Sequence, residues 1–214
     1  MELVSHSAAD LGYSGVEQWE LILPSRSAEL GDSRLQFHHA AQLATAAGIS
    51  YLTPRADDSH TNLEWLSEFR ALFSREIPSV SPFRIGVRPA DLALLVVPQS
   101  ADRVALLELS GCTLSEATRW IRERVDALGV DSSRYTLQRH YEIPSHPVAD
   151  GRAFDATDKA SFTEIAKWFA NGFGILGDLA RRTPSRLTFD GTSRRPIWSP
   201  IRPAVIRHEA NASP

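Results

Sequence analysis

The chain has 214 residues, 43% of them apolar and 23% charged, with a formal net charge of -3. That composition belongs to a globular protein with enough chain to bury one sizeable core without covalent staples. The weakly acidic balance argues against a nucleic-acid partner, which calls for a basic surface.

Residues 1–15 are small and polar and read as a flexible N-terminus; they show neither the basic start nor the apolar run of a secretory leader. No run approaches 18 apolar residues, so no membrane partner is expected and the expected compartment is the cytoplasm. Trp19-Glu20-Leu21-Ile22-Leu23 is a short apolar run closed by Pro24, either a strand or a turn into the next element. Asp32-Ser33 is an N-cap signal for a helix over 34–47, with Leu35, Leu43, Ala46 and Ala47 on its apolar side and Gly48 ending it. On this helix His38, Gln42 and Thr45 recur at i, i+4 and i+7 and share one face. A polar stripe on an alanine-rich helix calls for solvent or for a site.

After Pro54 the pattern changes to period two, and strands are expected at Thr61–Trp65, Arg70–Ile77, Phe83–Val87, Leu92–Val97 and Arg103–Leu109. The continuous apolar run Leu92–Val97 suits a central strand buried on both faces. Cys112, the single cysteine, excludes an intrachain disulfide and a cysteine-built zinc site; it fits a strand-to-helix turn. Thr113-Leu114-Ser115-Glu116 is a capping box that opens a helix to Leu128, with Leu114, Ala117, Ile121, Val125 and Leu128 on one face and Gly129 beyond its end. Tyr135–Tyr141 reads as a further strand, and Pro144-Ser145-His146-Pro147 as a rigid turn. A long helix over 158–180 follows, with Ser161 and Glu164 as its capping pair and Phe162, Ile165, Phe169, Phe173 and Leu176 on its apolar face. Gly172, Gly174 and Gly177 weaken its second half. Residues 183–214, rich in Pro, Arg and Ser and without a sustained period, read as an irregular or disordered tail. The expected fold is a single α+β domain over 16–182, a mainly antiparallel sheet at about 60–110 packed with the three helices.

Two stretches concentrate chemistry. The first holds His38, His39, Asp57, Asp58 and His60. Histidine with carboxylate suits a divalent metal such as zinc or iron, with His38, His39, Asp58 and His60 as candidate ligands, or acid/base catalysis by His60, Asp58 and His39. Adjacent helical residues point about 100° apart, which sets His38 and His39 against sharing one ion. The opposing reading is a half-buried, hydrogen-bonded histidine beside aspartates that cap the turn after Pro54. The second stretch, Arg139–Pro147, gathers His140, Tyr141, Glu142 and His146. Here His140 and His146, with Trp65, are candidates to line a small-molecule pocket; a plain connection whose path the prolines fix is the preferred reading. Trp120 and Trp168 fall on predicted helices and are expected in the core or at its edge. No P-loop, Rossmann fingerprint or nucleophile elbow is present.

The blocks HHAAQLATAAG, PRADDSHTNLEW, VRPADLALLVV and HYEIPSHPVADGRAF, followed by KWFANGFGIL, resemble in that order an uncharacterised group of bacterial proteins, across roughly residues 15–182. No established activity goes with that group, so the resemblance implies no reaction. It does imply a different C-terminal region: the group carries a histidine-bearing block resembling W-P-H-H-F-D and more sheet after the long helix. Here Arg182 leads instead into the Arg/Pro/Ser-rich stretch. On that comparison the tail is a diverged or frameshifted one, and an exposed sheet edge or apolar patch, and with it poor solubility or a homodimer, is the expected consequence. Two function classes stand open: a metal-dependent or acid/base enzyme, and a non-catalytic domain that binds a small molecule or another protein.

Overall fold

The structure, a computed structural model, describes residues 19–23, 30–99 and 103–182 and the backbone of 205–208. One sheet holds six strands in chain order: β1 (Glu64–Leu66), β2 (Ala71–Phe73), β3 (Phe83–Arg88), β4 (Ala93–Pro98), β5 (Arg103–Glu108) and β6 (Val205–His208). The first five form an antiparallel meander, and β6 runs parallel to β5 at the edge. Among the described residues three α-helices complete the α+β fold, α1 (Gly31–Tyr51), α2 (Leu114–Ala127) and α3 (Lys159–Arg182). Residues 1–15 lie outside the described residues, as does the tail except for its four-residue edge strand.

Alternation along the strands divides the core. Ile85, Val87, Leu94, Val96 and Leu107 pack with Phe37, Leu43, Ala44 and Ala47 of α1, Ile121 of α2 and Phe162 of α3. The residues of opposite parity, Phe73, Leu95, Val97 and Val104, build a smaller cluster with Leu66 and Ala71. As the apolar run predicts, β4 is buried on both faces. Gly86 is required here: a Cβ on it would fall 2.5 Å from the Phe73 ring.

Several expected boundaries move, each for a local reason. The helix α1 is not limited to 34–47, and Asp32 does not cap it: the N-cap is Leu30, without a side-chain bond. Gly48 lies inside its last turn, where a Cβ would sit 2.4 Å from the His60 carbonyl oxygen, so the glycine permits a close approach instead of ending the helix. Of the expected Thr61–Trp65 strand, Thr61 belongs to a 3-10 turn, Ser59–Thr61, because Asp58 adopts a left-handed conformation with φ 56° and turns the chain, and the strand starts only at Glu64. Tyr135–Tyr141 is not a strand; it lies against α1 instead of a sheet neighbour. The capping box of α2 forms in both halves, Thr113 Oγ1 accepting from Glu116 N–H and Glu116 from Thr113 N–H. For α3 the cap is Asp158, which accepts from Ser161 N–H at 3.1 Å, and not the Ser161/Glu164 pair. Among the described residues no helix is long and apolar enough to cross a membrane.

Candidate functional site

The two chemistry-bearing stretches dock on one another. From its 3-10 turn Ser132–Arg134 onward, the connection to α3 runs back along α1 from its C-terminal to its N-terminal end. Arg134 donates to the Ser50 carbonyl, and Ser50 Oγ accepts from Thr136 N–H. The buried Tyr135 hydroxyl donates to the Leu43 carbonyl at 2.6 Å. Tyr141 OH donates to Gln42 Oε1 at 2.8 Å. His39 Nε2 meets the Pro144 carbonyl at 3.1 Å, His146 Nε2 meets Asp32 Oδ1 at 3.0 Å, and Asp155 N–H donates to Gln36 Oε1 at 2.7 Å. The polar row of α1 is therefore Asp32, Gln36, His39, Leu43 (through its carbonyl) and Ser50, spaced by helical turns, and a second stretch of chain covers it.

The partners fix the imidazole protons. A carbonyl only accepts, so His39 carries its proton on Nε2 and donates it to Pro144. Val148 N–H donates to His146 Nδ1 at 3.3 Å, which leaves Nε2 as the protonated nitrogen facing Asp32. Both nitrogens of His146 are thus engaged, and a general base needs a free lone pair. Burial lowers the pKa of His39, against the opposing pull of its bond to Pro144, and burial likewise lowers that of His38. The hydrogen bonds from His146 and Gln36 hold the Asp32 carboxyl below its ordinary value.

The remaining candidates each have a place. Asp58 pairs with His140, Nε2 to Oδ2 at 3.1 Å, and both side chains are exposed. The Tyr141 ring stands edge-on to His140 with centroids 5.4 Å apart. Beside them is a shallow open depression of about 390 Å³ lined by Leu137, Gln138, Arg139, Tyr141, Glu142 and Ile143. His60 is buried, and its Nδ1 accepts from Arg55 N–H at 3.2 Å. Asp57 accepts from Ser59 N–H at 3.1 Å, the turn-capping role. His38 is half-buried, its ring 6.5 Å from that of His39. Trp65 is buried and stacks on Phe169 at 6.1 Å, in the wall between β1 and α3. Among the described residues no group of three or more His, Cys, Asp or Glu side chains is placed to hold a metal ion.

A second surface has no counterpart in the sequence reading of the site. Phe162, Ile165, Ala166 and Ala170 of α3 are buried, but from Gly172 to Leu179 no residue is. The helix keeps its apolar stripe beyond the point where the domain covers it. Trp168, Phe169, Phe173, Ile175, Leu176 and Leu179 are between 36% and 59% exposed, so Trp168 is not a core residue. Asp178 is the one charge between Trp168 and Leu179. Sequence reasoning also missed Asp32 and Gln36 as partners of the connection; the signal was their spacing of four and seven from Asp32 to His39 on one helix face.

No family model, no curated protein and no solved structure matches the chain, so the reading of these surfaces rests on their own geometry.

Proposed function

We propose that this chain is a non-catalytic protein-binding domain that associates with a second copy of itself through α3. The observation that carries the reading is the exposed stripe from Trp168 to Leu179. Phe169, Phe173 and Leu176 lie in one row at helical spacing, and Trp168, Ile175 and Leu179 in the next. Side chains of these types and exposures present on the order of 500 Å² of apolar surface, the size at which a patch on a monomer marks an interaction site. Doubled across a two-fold axis this is about 1,000 Å², the lower bound of a specific interface. A two-fold pairing sets the same patch on itself, and a stripe nearly free of charge brings few like charges face to face. The histidines and aspartates around α1 support the same reading, since most are engaged in bracing the connection.

The test is sedimentation of the full chain from low to high micromolar concentration. The wild type is expected as a dimer and Leu176→Asp as a monomer with an unchanged far-ultraviolet spectrum. A wild type that stays monomeric throughout overturns the reading.

A second reading, acid/base chemistry at Asp58–His140, is favoured by one observation. Asp58 orients His140 through Nε2, and Nδ1 has no hydrogen-bond partner among the described residues, beside the depression at 137–143. That reading requires turnover of chromogenic ester or phosphate-ester substrates that His140→Ala and Asp58→Asn both abolish. Turnover that survives both substitutions counts against it.

A further inference from the structure

A different row of α3 makes contacts of another kind. Glu164, Lys167 and Asn171, at i, i+3 and i+7, face the short run Trp19–Leu23. The Asn171 side-chain amide bonds both main-chain groups of one residue: Oδ1 accepts from Glu20 N–H at 2.8 Å and Nδ2 donates to the Glu20 carbonyl at 2.8 Å. Glu164 Oε1 accepts from Leu23 N–H at 2.6 Å, and Lys167 Nζ donates to the Leu21 carbonyl at 3.2 Å and to Glu164 Oε2 at 3.3 Å. All four contacts with the run go to its main chain. Among the described residues the one polar contact from the run's own side chains is the ion pair of Glu20 with Arg70.

The apolar side chains are not what holds this segment. Trp19, Leu21 and Leu23 are exposed while Glu20 and Ile22 are half-buried, the alternation of an extended chain. The side chains of α3 instead do what a neighbouring strand does, bonding the N–H and C=O of one residue together. Recognition of that kind is indifferent to side-chain identity, with specificity left to the pockets around it. With Trp19–Leu23 in place Glu164 and Asn171 are only 3% and 5% exposed, and their bonds to its main chain offset the cost of burying a carboxylate and an amide. The present occupant leaves three large apolar side chains in water. A segment that covers apolar surface while making the same main-chain bonds binds better.

We propose that Glu164, Lys167 and Asn171 form a main-chain-reading site for an extended apolar peptide segment of a partner protein, and that Trp19–Leu23 fills this site in cis until such a segment displaces it. The inference does not depend on self-association, which uses other residues of the helix.

The test uses the full chain and a capped synthetic peptide with the sequence of residues 17–24, labelled for fluorescence anisotropy. Glu20→Pro with Leu23→Pro removes the two N–H donors of the resident segment and leaves the α3 row intact. A tethered segment competes at an effective concentration of about millimolar. The doubly substituted chain is therefore expected to bind the peptide at least tenfold more tightly than the wild type. Adding Asn171→Leu to it is expected to abolish binding. Equal affinity for the wild type and the unlatched chain overturns the proposal, as does binding that survives Asn171→Leu or no binding to the unlatched chain. Hydrogen exchange on the unsubstituted protein gives a readout independent of any variant. Excess peptide must speed exchange at the Glu20 and Leu23 amides, and unchanged rates at saturation overturn the proposal. Leu176→Asp separates the two surfaces: peptide affinity within twofold of wild type supports the row at 164–171, and its loss assigns the peptide to the exposed stripe and overturns it.

Discussion

At the scale of single residues, Gly48 shows how a close approach positions the polar face. A Cβ there would meet the carbonyl oxygen of His60, a backbone atom that cannot swing aside as a side chain would. In an open helix, replacing glycine by alanine stabilises by about 1 kcal/mol; here the clash reverses the sign. Gly48→Ala is expected to destabilise by about 1–3 kcal/mol, the cost of forcing atoms into a packed site, and to push the turn that carries Asp58 and His60 away from α1. Urea denaturation reads the loss, and a midpoint at or above wild type would show that the turn is not anchored there. Tyr135 tests the other end of the same face. Its hydroxyl is buried and donates to the Leu43 carbonyl. Tyr135→Phe keeps the ring and removes that one bond, so a loss of about 1 kcal/mol is expected. A change within error of zero would mean that the connection is held by its ring packing alone. Neither role was legible from the residue itself: a glycine near a helix end reads as a stop, and the carbonyl that demands it comes from a loop beyond that helix.

At the scale of elements, legibility follows the distance between partners along the chain. The capping box of α2 joins residues three apart, and both of its bonds are present as the motif predicts. The strands β3, β4 and β5 join near neighbours and fall within a residue or two of expectation. The connection along α1 joins residues 84 to 119 positions apart, as in Ser50–Arg134 and Gln36–Asp155. Period-two reading of Tyr135–Tyr141 detects an extended chain but not whether its neighbour is a strand or a helix. That docking has a pH dependence whose sign follows from His39. Burial holds its pKa below the ordinary 6.5, so between that lowered value and 6.5 the unfolded chain takes up a proton that the folded chain refuses. Stability is therefore greatest above 6.5 and falls as pH drops through that window. His38 acts in the same direction. Asp32, its carboxyl held below 3.8, adds stability that is present above 3.8 and lost as pH falls through its lowered value. His39→Gln keeps a donor for the Pro144 carbonyl without the titration. Its melting temperature should fall less than that of the wild type between pH 7 and pH 5. Identical slopes for the two proteins would remove His39 from the account.

At the scale of the whole molecule, the sheet and the helices close the main core, with the smaller cluster built on residues of opposite parity, and α3 runs on past it. The apolar periodicity of α3 was legible, because a stripe at helical spacing is a local property. What covers the stripe was not, since periodicity records that a face is apolar and not which surface lies against it. Over Phe162 and Ile165 the cover is α1 and the sheet, and Phe169 is covered in part by Phe37 and Trp65; beyond Gly172 no described residue of the domain buries the stripe. If a second copy supplies the cover, folding and association are linked, and mass action makes stability depend on protein concentration. Each tenfold rise in concentration then adds about 1.4 kcal/mol per dimer. The wild-type melting temperature should climb steadily across a hundredfold range. Leu179→Asp puts a charge into the apolar stripe of each copy while leaving the buried half of α3 untouched. Its melting temperature should be independent of concentration and should meet the wild-type curve at the dilute end, where the dimer has dissociated. A wild-type curve that is flat, and superimposable on that of the variant at every concentration, would leave the stripe without a second copy to cover it.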